Sequence, residues 1–186
     1  MGAREFDLLD TKILIIDDRR SMRAIVRSIL SQLSCLFIRD VGGAASAFEE
    51  MQGFPCDLII VDWNMEPLDG LDFVRLVRTA TDSRNPFVPI IMLSGHTEFI
   101  RVAVARDAGL NEFLAKPCSV QQMRSRIHSV FKNPRPFIRG KKYFGPCRRR
   151  MDSGPPHGKA DRRIKGPEAM NPVQQRDKAY GSGNRA

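Results

Sequence analysis

The chain has 186 residues, with 30 Lys+Arg against 21 Asp+Glu and a net charge of +9. That charge is uneven: residues 1–132 carry 16 basic and 17 acidic side chains, residues 133–186 carry 14 and 4. The longest apolar runs, Ile13–Ile16, Leu58–Val61 and Ile90–Leu93, are strand-sized, whereas a bilayer-spanning helix needs about 20 apolar residues.

No membrane span is therefore expected. The opening residues lack the apolar core of a signal peptide, so no targeting segment is expected either. Cys35, Cys56, Cys118 and Cys147 are scattered without a C-x-x-C pair, and His96, His128 and His157 show no ligand spacing. Neither a zinc site nor a disulfide framework is indicated, and a reduced, cytoplasmic protein is the expectation.

In chain order, Lys12–Asp17 reads as a strand buried on both faces. Arg20–Leu33 follows with Met22, Ile25, Val26, Ile29, Leu30 and Leu33 at helical spacing. Cys35–Arg39 is a second strand, and Ala44, Ala47, Phe48 and Met51 mark a short helix. Leu58–Asp62 is the third strand, with Phe73, Leu76, Val77 and Ala80 marking the helix after it. Val88–Leu93 is the fourth strand; a helix over Glu98–Ala108 ends at Gly109, a residue suited to the position after a helix. Glu112–Ala115 is a short fifth strand. The last helix opens on Ser119-Val120-Gln121-Gln122, a capping-box pattern, and carries Val120, Met123, Ile127, Val130 and Phe131 on one stripe. Five strands alternating with five helices predict an α/β fold: a parallel, doubly wound sheet covered on both faces.

Chemistry collects where these strands end. Asp17 and Asp18 close the first strand, Asp62 the third, Ser94 the fourth and Lys116 the fifth. All carboxyl ends of a parallel sheet lie on one edge, so these residues are expected to converge although 99 positions separate Asp17 from Lys116. Three carboxylates at close range repel, and either one takes a proton or the group binds a cation. Mg²⁺ suits one or two carboxylates, waters and a phosphate oxygen. An aspartate can itself attack phosphorus and form an acyl phosphate. A lysine can pair with the transferred group and a serine hydroxyl can donate to it.

Ile15-Ile16-Asp17-Asp18, Asp62-Trp63-Asn64-Met65 with Asp69-Gly70, Ser94-Gly95 and Lys116-Pro117 occur in this order, with intervals of 45, 32 and 22 residues between Asp17, Asp62, Ser94 and Lys116. Over about residues 10–132 the chain resembles the receiver domain of two-component response regulators, the stand-alone chemotaxis type being the nearest in size. The resemblance implies a five-stranded, flavodoxin-like sheet of order 2-1-3-4-5. It implies that Asp62 accepts a phosphoryl group from a histidine kinase or phosphotransfer protein, with Mg²⁺ held by Asp18, by Asp17 directly or through water, by Asp62 and by the backbone carbonyl of Asn64. Lys116 would contact the phosphoryl group and Ser94 would move toward it. Phe113 would be the aromatic switch, the Lys116–Pro117 bond would be cis, and Asn64 and His96 would set the acyl-phosphate lifetime. The signal would pass to a downstream protein through the fourth helix, fifth strand and fifth helix. Two positions depart from the pattern: the proline after Met65 is delayed to Pro67, and Phe113 lacks the hydroxyl of the commoner tyrosine. Trp63 is expected at the surface of the cleft, and Cys118 to be inert.

Residues 133–186 are different in kind. They contain seven Pro, seven Gly and only five residues of Leu, Ile, Val or Phe, too little apolar surface to offset chain entropy. The domain division is thus a receiver over 1–132 and a disordered basic tail over 133–186. Three readings of the tail stand: a solvated extension, an electrostatic contact with nucleic acid or an anionic surface, and a peptide that binds a protein through Phe137, Ile138, Tyr143 and Phe144. It offers no DNA-reading domain. Two other functions are weighed against the receiver. One is a Mg²⁺-dependent phosphatase, for which the position two after Asp62 should be acidic but is Asn64. The other is a binding module that acts through its tail without phosphorylation. No metabolic enzyme activity is expected.

Overall fold

A computed structural model describes residues 8–95, 99–140 and 143–147. The elements are β1 (Lys12–Ile16), α1 (Arg20–Gln32), β2 (Phe37–Val41), α2 (Ala44–Gly53), β3 (Leu58–Asp62), α3 (Gly70–Thr79), β4 (Ile90–Ser94), α4 (Phe99–Asp107), β5 (Glu112–Ala115), α5 (Val120–Lys132), β6 (Phe137–Gly140) and β7 (Tyr143–Pro146). The first five strands form one parallel sheet in the order β2-β1-β3-β4-β5, as the resemblance implies. Among the described residues no helix is long and apolar enough to cross a membrane.

Strand alternation divides the core in two. Leu14, Ile16, Ile59, Val61, Ile90 and Met92 point to the face covered by Ala47 and Met51 of α2, Phe73, Val74 and Val77 of α3 and Ala105 of α4. Ile13, Ile15, Leu58, Ile60, Ile91, Leu93 and Leu114 point to the other, beneath Val26, Ile29 and Leu30 of α1 and Met123, Ile127 and Val130 of α5. The central strands β1, β3 and β4 therefore read as continuous apolar runs, because both of their faces are buried, whereas the edge strand β2 carries Arg39 and Asp40 and stays partly exposed.

Helix starts follow local chemistry. The Asp69 carboxylate accepts from the Asp72 N–H at 2.8 Å and caps α3. Ser119 and Gln122 form the expected reciprocal capping box of α5, at 3.2 and 2.9 Å. The second strand starts at Phe37, two residues later than the sequence reading. Cys35 instead closes the turn after α1, its N–H donating to the Leu30 carbonyl.

The structure departs from the expectation of an unstructured tail over its first part. β6 and β7 pair antiparallel, Phe137 opposite Pro146 and Gly140 opposite Tyr143. The hairpin packs against the amino-terminal edge of the sheet. Phe87, in the loop before β4, meets the rings of Phe137 and Phe144 at 5.2 and 5.1 Å, and those two rings lie 5.7 Å apart. Arg135 donates to the carbonyls of Leu110 and Asn111 before β5 and to that of Cys147. Phe137 and Phe144 are thus occupied by their own domain and are not free anchors for a partner. Composition averaged over 54 residues concealed this local cluster, whose apolar partner lies some 50 positions upstream. Residues 148–186, with Lys141 and Lys142, lie outside the described residues.

Candidate functional site

The sheet register brings the site together. Ile16 pairs with Val61, Asp62 with Leu93 and Ser94 with Ala115. Asp17, Asp62, Ser94 and Lys116 therefore stand at the carboxyl ends of neighbouring strands.

Lys116 bridges the two buried acids. Its Nζ lies 2.8 Å from Asp17 Oδ2 and 2.9 Å from Asp62 Oδ1. The three side chains are 10%, 2% and 3% exposed. The other oxygen of Asp17 accepts the Arg19 backbone N–H at 2.9 Å, and Arg23 donates to the Asp17 carbonyl at 2.8 Å. Arg23 also pairs with Asp40 of β2 at 2.9 Å, fastening α1 to the sheet edge beside the acids. Asp62 Oδ2 is buried and has no hydrogen-bond partner among the described residues. Burial pushes the Asp62 carboxyl above its ordinary range, against the downward pull of Lys116.

Asp18 is exposed and completes an acidic triad. One ligand oxygen from each of Asp17, Asp18 and Asp62 lies within 4.8 Å of the others. Three carboxylate oxygens within reach of one ion and an opening to water at Asp18 fit a hard divalent cation such as Mg²⁺.

Two loops hold these groups. The Trp63 N–H donates to the Leu93 carbonyl and the Gly70 N–H to the Trp63 carbonyl, both at 2.9 Å. Gly70 is tight here: a Cβ would stand 2.0 Å from the Asp62 carbonyl oxygen. The Lys116 N–H donates to the Ser94 carbonyl at 2.8 Å. The Lys116–Pro117 and Glu66–Pro67 peptide bonds are both cis. Ser94 is buried at the end of β4. Phe113 is half-buried, and its ring meets Trp63 edge-on at 6.5 Å. Asn64 is exposed just past Asp62. Burial pushes the Cys118 thiol up, away from the reactive thiolate.

The chain can now be placed among known proteins. Residues 13–128 match the family model described as response regulator receiver domain. The chain belongs to that family. The receiver is 29% identical over 121 residues to the chemotaxis protein CheY of Pseudomonas aeruginosa, covering 65% of this chain and 96% of that protein. It is 32% identical over 120 residues to CheY1 of Helicobacter pylori, covering 64% and 95%. The solved structure of the chemotaxis response regulator CheY4 of Vibrio cholerae is similar at 28% identity and a TM-score of 0.58, over 64% of this chain and 98% of that one. The family match ends before the β6–β7 hairpin.

The receiver corrects one expectation at the site. Trp63 is not at the cleft surface but buried, because its ring is wedged against Phe113 and the core beneath α3. His96 lies outside the described residues. Arg19 was missed by the sequence reading, although its place directly after Asp17-Asp18 was a usable signal. Its guanidinium reaches to 3.9 Å from Asp62 Oδ2.

The raised pKa of Asp62 carries a stability cost with a definite sign. A carboxyl raised in the folded state stabilises fully below its unfolded value near 3.8, and that contribution is lost as pH rises through the folded value. Asp62→Asn keeps an oxygen for Lys116 and does not ionise. In the absence of added cation, Asp62→Asn will be more stable than wild type at pH 7 by about 0.5–2 kcal/mol. The difference will narrow as pH falls toward 4, read as urea midpoints at pH 7, 5.5 and 4.5.

Proposed function

We propose that this protein is a response regulator in which Asp62 takes a phosphoryl group from the phosphohistidine of a histidine kinase or phosphotransfer protein. The observation that carries this reading is the Asp62 carboxylate itself. One oxygen is held by Lys116, and the other is buried, without a hydrogen bond, beside an acidic pair. An acid with a single structural role would have both oxygens satisfied.

In the transfer, Asp62 Oδ2 attacks phosphorus. The O–P bond forms as the P–N bond to the donor histidine breaks, and the imidazole nitrogen keeps the electron pair and takes a proton. Lys116, already 2.9 Å from Oδ1, pairs with charge on the phosphoryl oxygens. Asp18, Asp62 and the Asn64 carbonyl would hold Mg²⁺, with Asp17 engaged directly or through water. When bound, the cation offsets charge between the carboxylates and the incoming phosphoryl group. Water later attacks phosphorus and releases the Asp62 carboxylate; Asn64 and, from its position two after Ser94 in the sequence, His96 are proposed to set that rate.

The Ser94 hydroxyl is proposed to turn toward the phosphoryl oxygens, and the space it leaves is taken by Phe113. The readout is a change in partner at the face made by α4, β5 and α5. The likeness to chemotaxis CheY proteins supports an output through protein contact, in the cytoplasm, rather than through turnover of a metabolite.

The test is intact mass after incubation with acetyl phosphate and Mg²⁺. Wild type will gain one labile phosphate and Asp62→Ala none. No phosphate on wild type from acetyl phosphate or from a panel of phosphorylated phosphotransfer proteins would overturn the reading and turn attention to the basic tail.

A further inference from the structure

We infer that Arg19 is a second phosphoryl-contacting cation of this receiver, working across the acceptor carboxylate from Lys116. The inference rests on the reading of Asp62 as the acceptor. Lys116 occupies Asp62 Oδ1, which leaves Oδ2 as the oxygen that bonds to phosphorus. Arg19 faces that oxygen, with Nη2 at 3.9 Å. The gap is too long for a hydrogen bond, and Oδ2 has none.

The two ends of Arg19 are treated differently by the fold. Its backbone N–H is pinned to Asp17 Oδ1 at 2.9 Å, while its side chain is 60% exposed. The guanidinium therefore stays tethered at the mouth of the site but is free to swing. A phosphoryl group on Oδ2 brings three strong acceptor oxygens and added negative charge to that mouth. A planar fork of N–H donors matches such oxygens better than it matches one recessed carboxylate oxygen. The contact is thus weak before transfer and strong as charge builds on the phosphoryl oxygens. A contact with that difference accelerates the step.

Arg19 also opposes the cation site. A positive charge held near Asp17, Asp18 and Asp62 competes with a divalent ion for the same field. Removing it should help the ion while hurting the transfer. Loss of local structure would harm both.

The experiment measures two quantities on the full chain for wild type, Arg19→Ala and Arg19→Lys. The first is the rate of phosphorylation by acetyl phosphate at saturating Mg²⁺. There Asp62 Oδ2 bonds to phosphorus and acetate leaves with the electron pair. The second is Mg²⁺ affinity by calorimetry, without a phosphoryl donor. Arg19→Ala should be phosphorylated at least about tenfold more slowly, the size of a charge-assisted hydrogen bond. It should bind Mg²⁺ about threefold more tightly, the size of a screened charge at several Å. Arg19→Lys should recover part of the rate. A wild-type rate in Arg19→Ala, with phosphate still confined to Asp62, would overturn the role of Arg19 alone. A slower rate with weaker Mg²⁺ binding would also overturn it, as structural damage. Absence of phosphate on Asp62 in wild type would overturn the acceptor reading and this inference with it.

Discussion

Residues 1–132, produced without the segment that follows, will unfold at a much lower urea concentration than residues 1–147. The hairpin is packed, not draped. Phe137 is buried and Phe144 partly so, both against Phe87. Removing one such ring from a core typically costs about 3–5 kcal/mol, a large share of a domain's total stability. Beneath the rings Arg78 is buried and makes three bonds, to the Gly109 and Pro86 carbonyls and to Asn111 Oδ1. The Phe137 ring lies 5.1 Å from its guanidinium. Burial lowers the pKa of Arg78 to about 9, so it stays charged at neutral pH and depends on those bonds. Gly145 approaches Gly109 so closely that an added Cβ would stand 2.7 Å from its Cα. In the full chain, Phe137→Ala and Phe144→Ala should each lower the urea midpoint. Neither should slow phosphorylation of the folded protein, because the hairpin sits at the opposite edge of the sheet from Asp62. Equal midpoints for residues 1–132 and 1–147 would mean that the hairpin adds nothing to the fold.

Gly70→Ala will damage the site itself. The Cβ would stand 2.0 Å from the Asp62 carbonyl oxygen and 3.2 Å from the Trp63 Cα. Both are backbone atoms, so no rotamer change relieves the contact and the loop after β3 must move. Overpacking of this kind costs about 1–3 kcal/mol. The functional loss should be larger. A misplacement of about 1 Å in a positioned group can cost about 100-fold in rate. The expected result is a folded variant, by far-ultraviolet circular dichroism, that takes phosphate from acetyl phosphate about 100-fold more slowly. A variant with the wild-type rate would show that the loop relaxes without disturbing Asp62.

Much of the architecture was legible along the chain. Ile13–Ile16, Leu58–Val61 and Ile90–Leu93 are continuous apolar runs of strand length, as strands covered on both faces use. Ser119 and Gln122 marked the start of α5 by local hydrogen bonding alone. Asp17, Asp18, Asp62, Ser94 and Lys116 were legible as a group because a parallel sheet sends all its carboxyl ends to one edge. Topology does that work at any sequence separation.

What local pattern could not carry were contacts between segments whose neighbours are far away in sequence. Phe137 and Phe144 look like isolated aromatics in a polar, Pro- and Gly-rich stretch until Phe87 and the carbonyls before β5 are placed beside them. Trp63 looked like a cleft residue because it follows the acceptor, but strand alternation turned it under α3 against Phe113. Arg19 follows Asp17-Asp18 in the chain, but the pairing of β1 with β3 is what sets its guanidinium 3.9 Å from Asp62. Periodicity and strand-end chemistry are properties of neighbouring residues and can be read from the chain. Which oxygen lacks a donor, and which cation faces it, depends on distances that exist only once the sheet has closed.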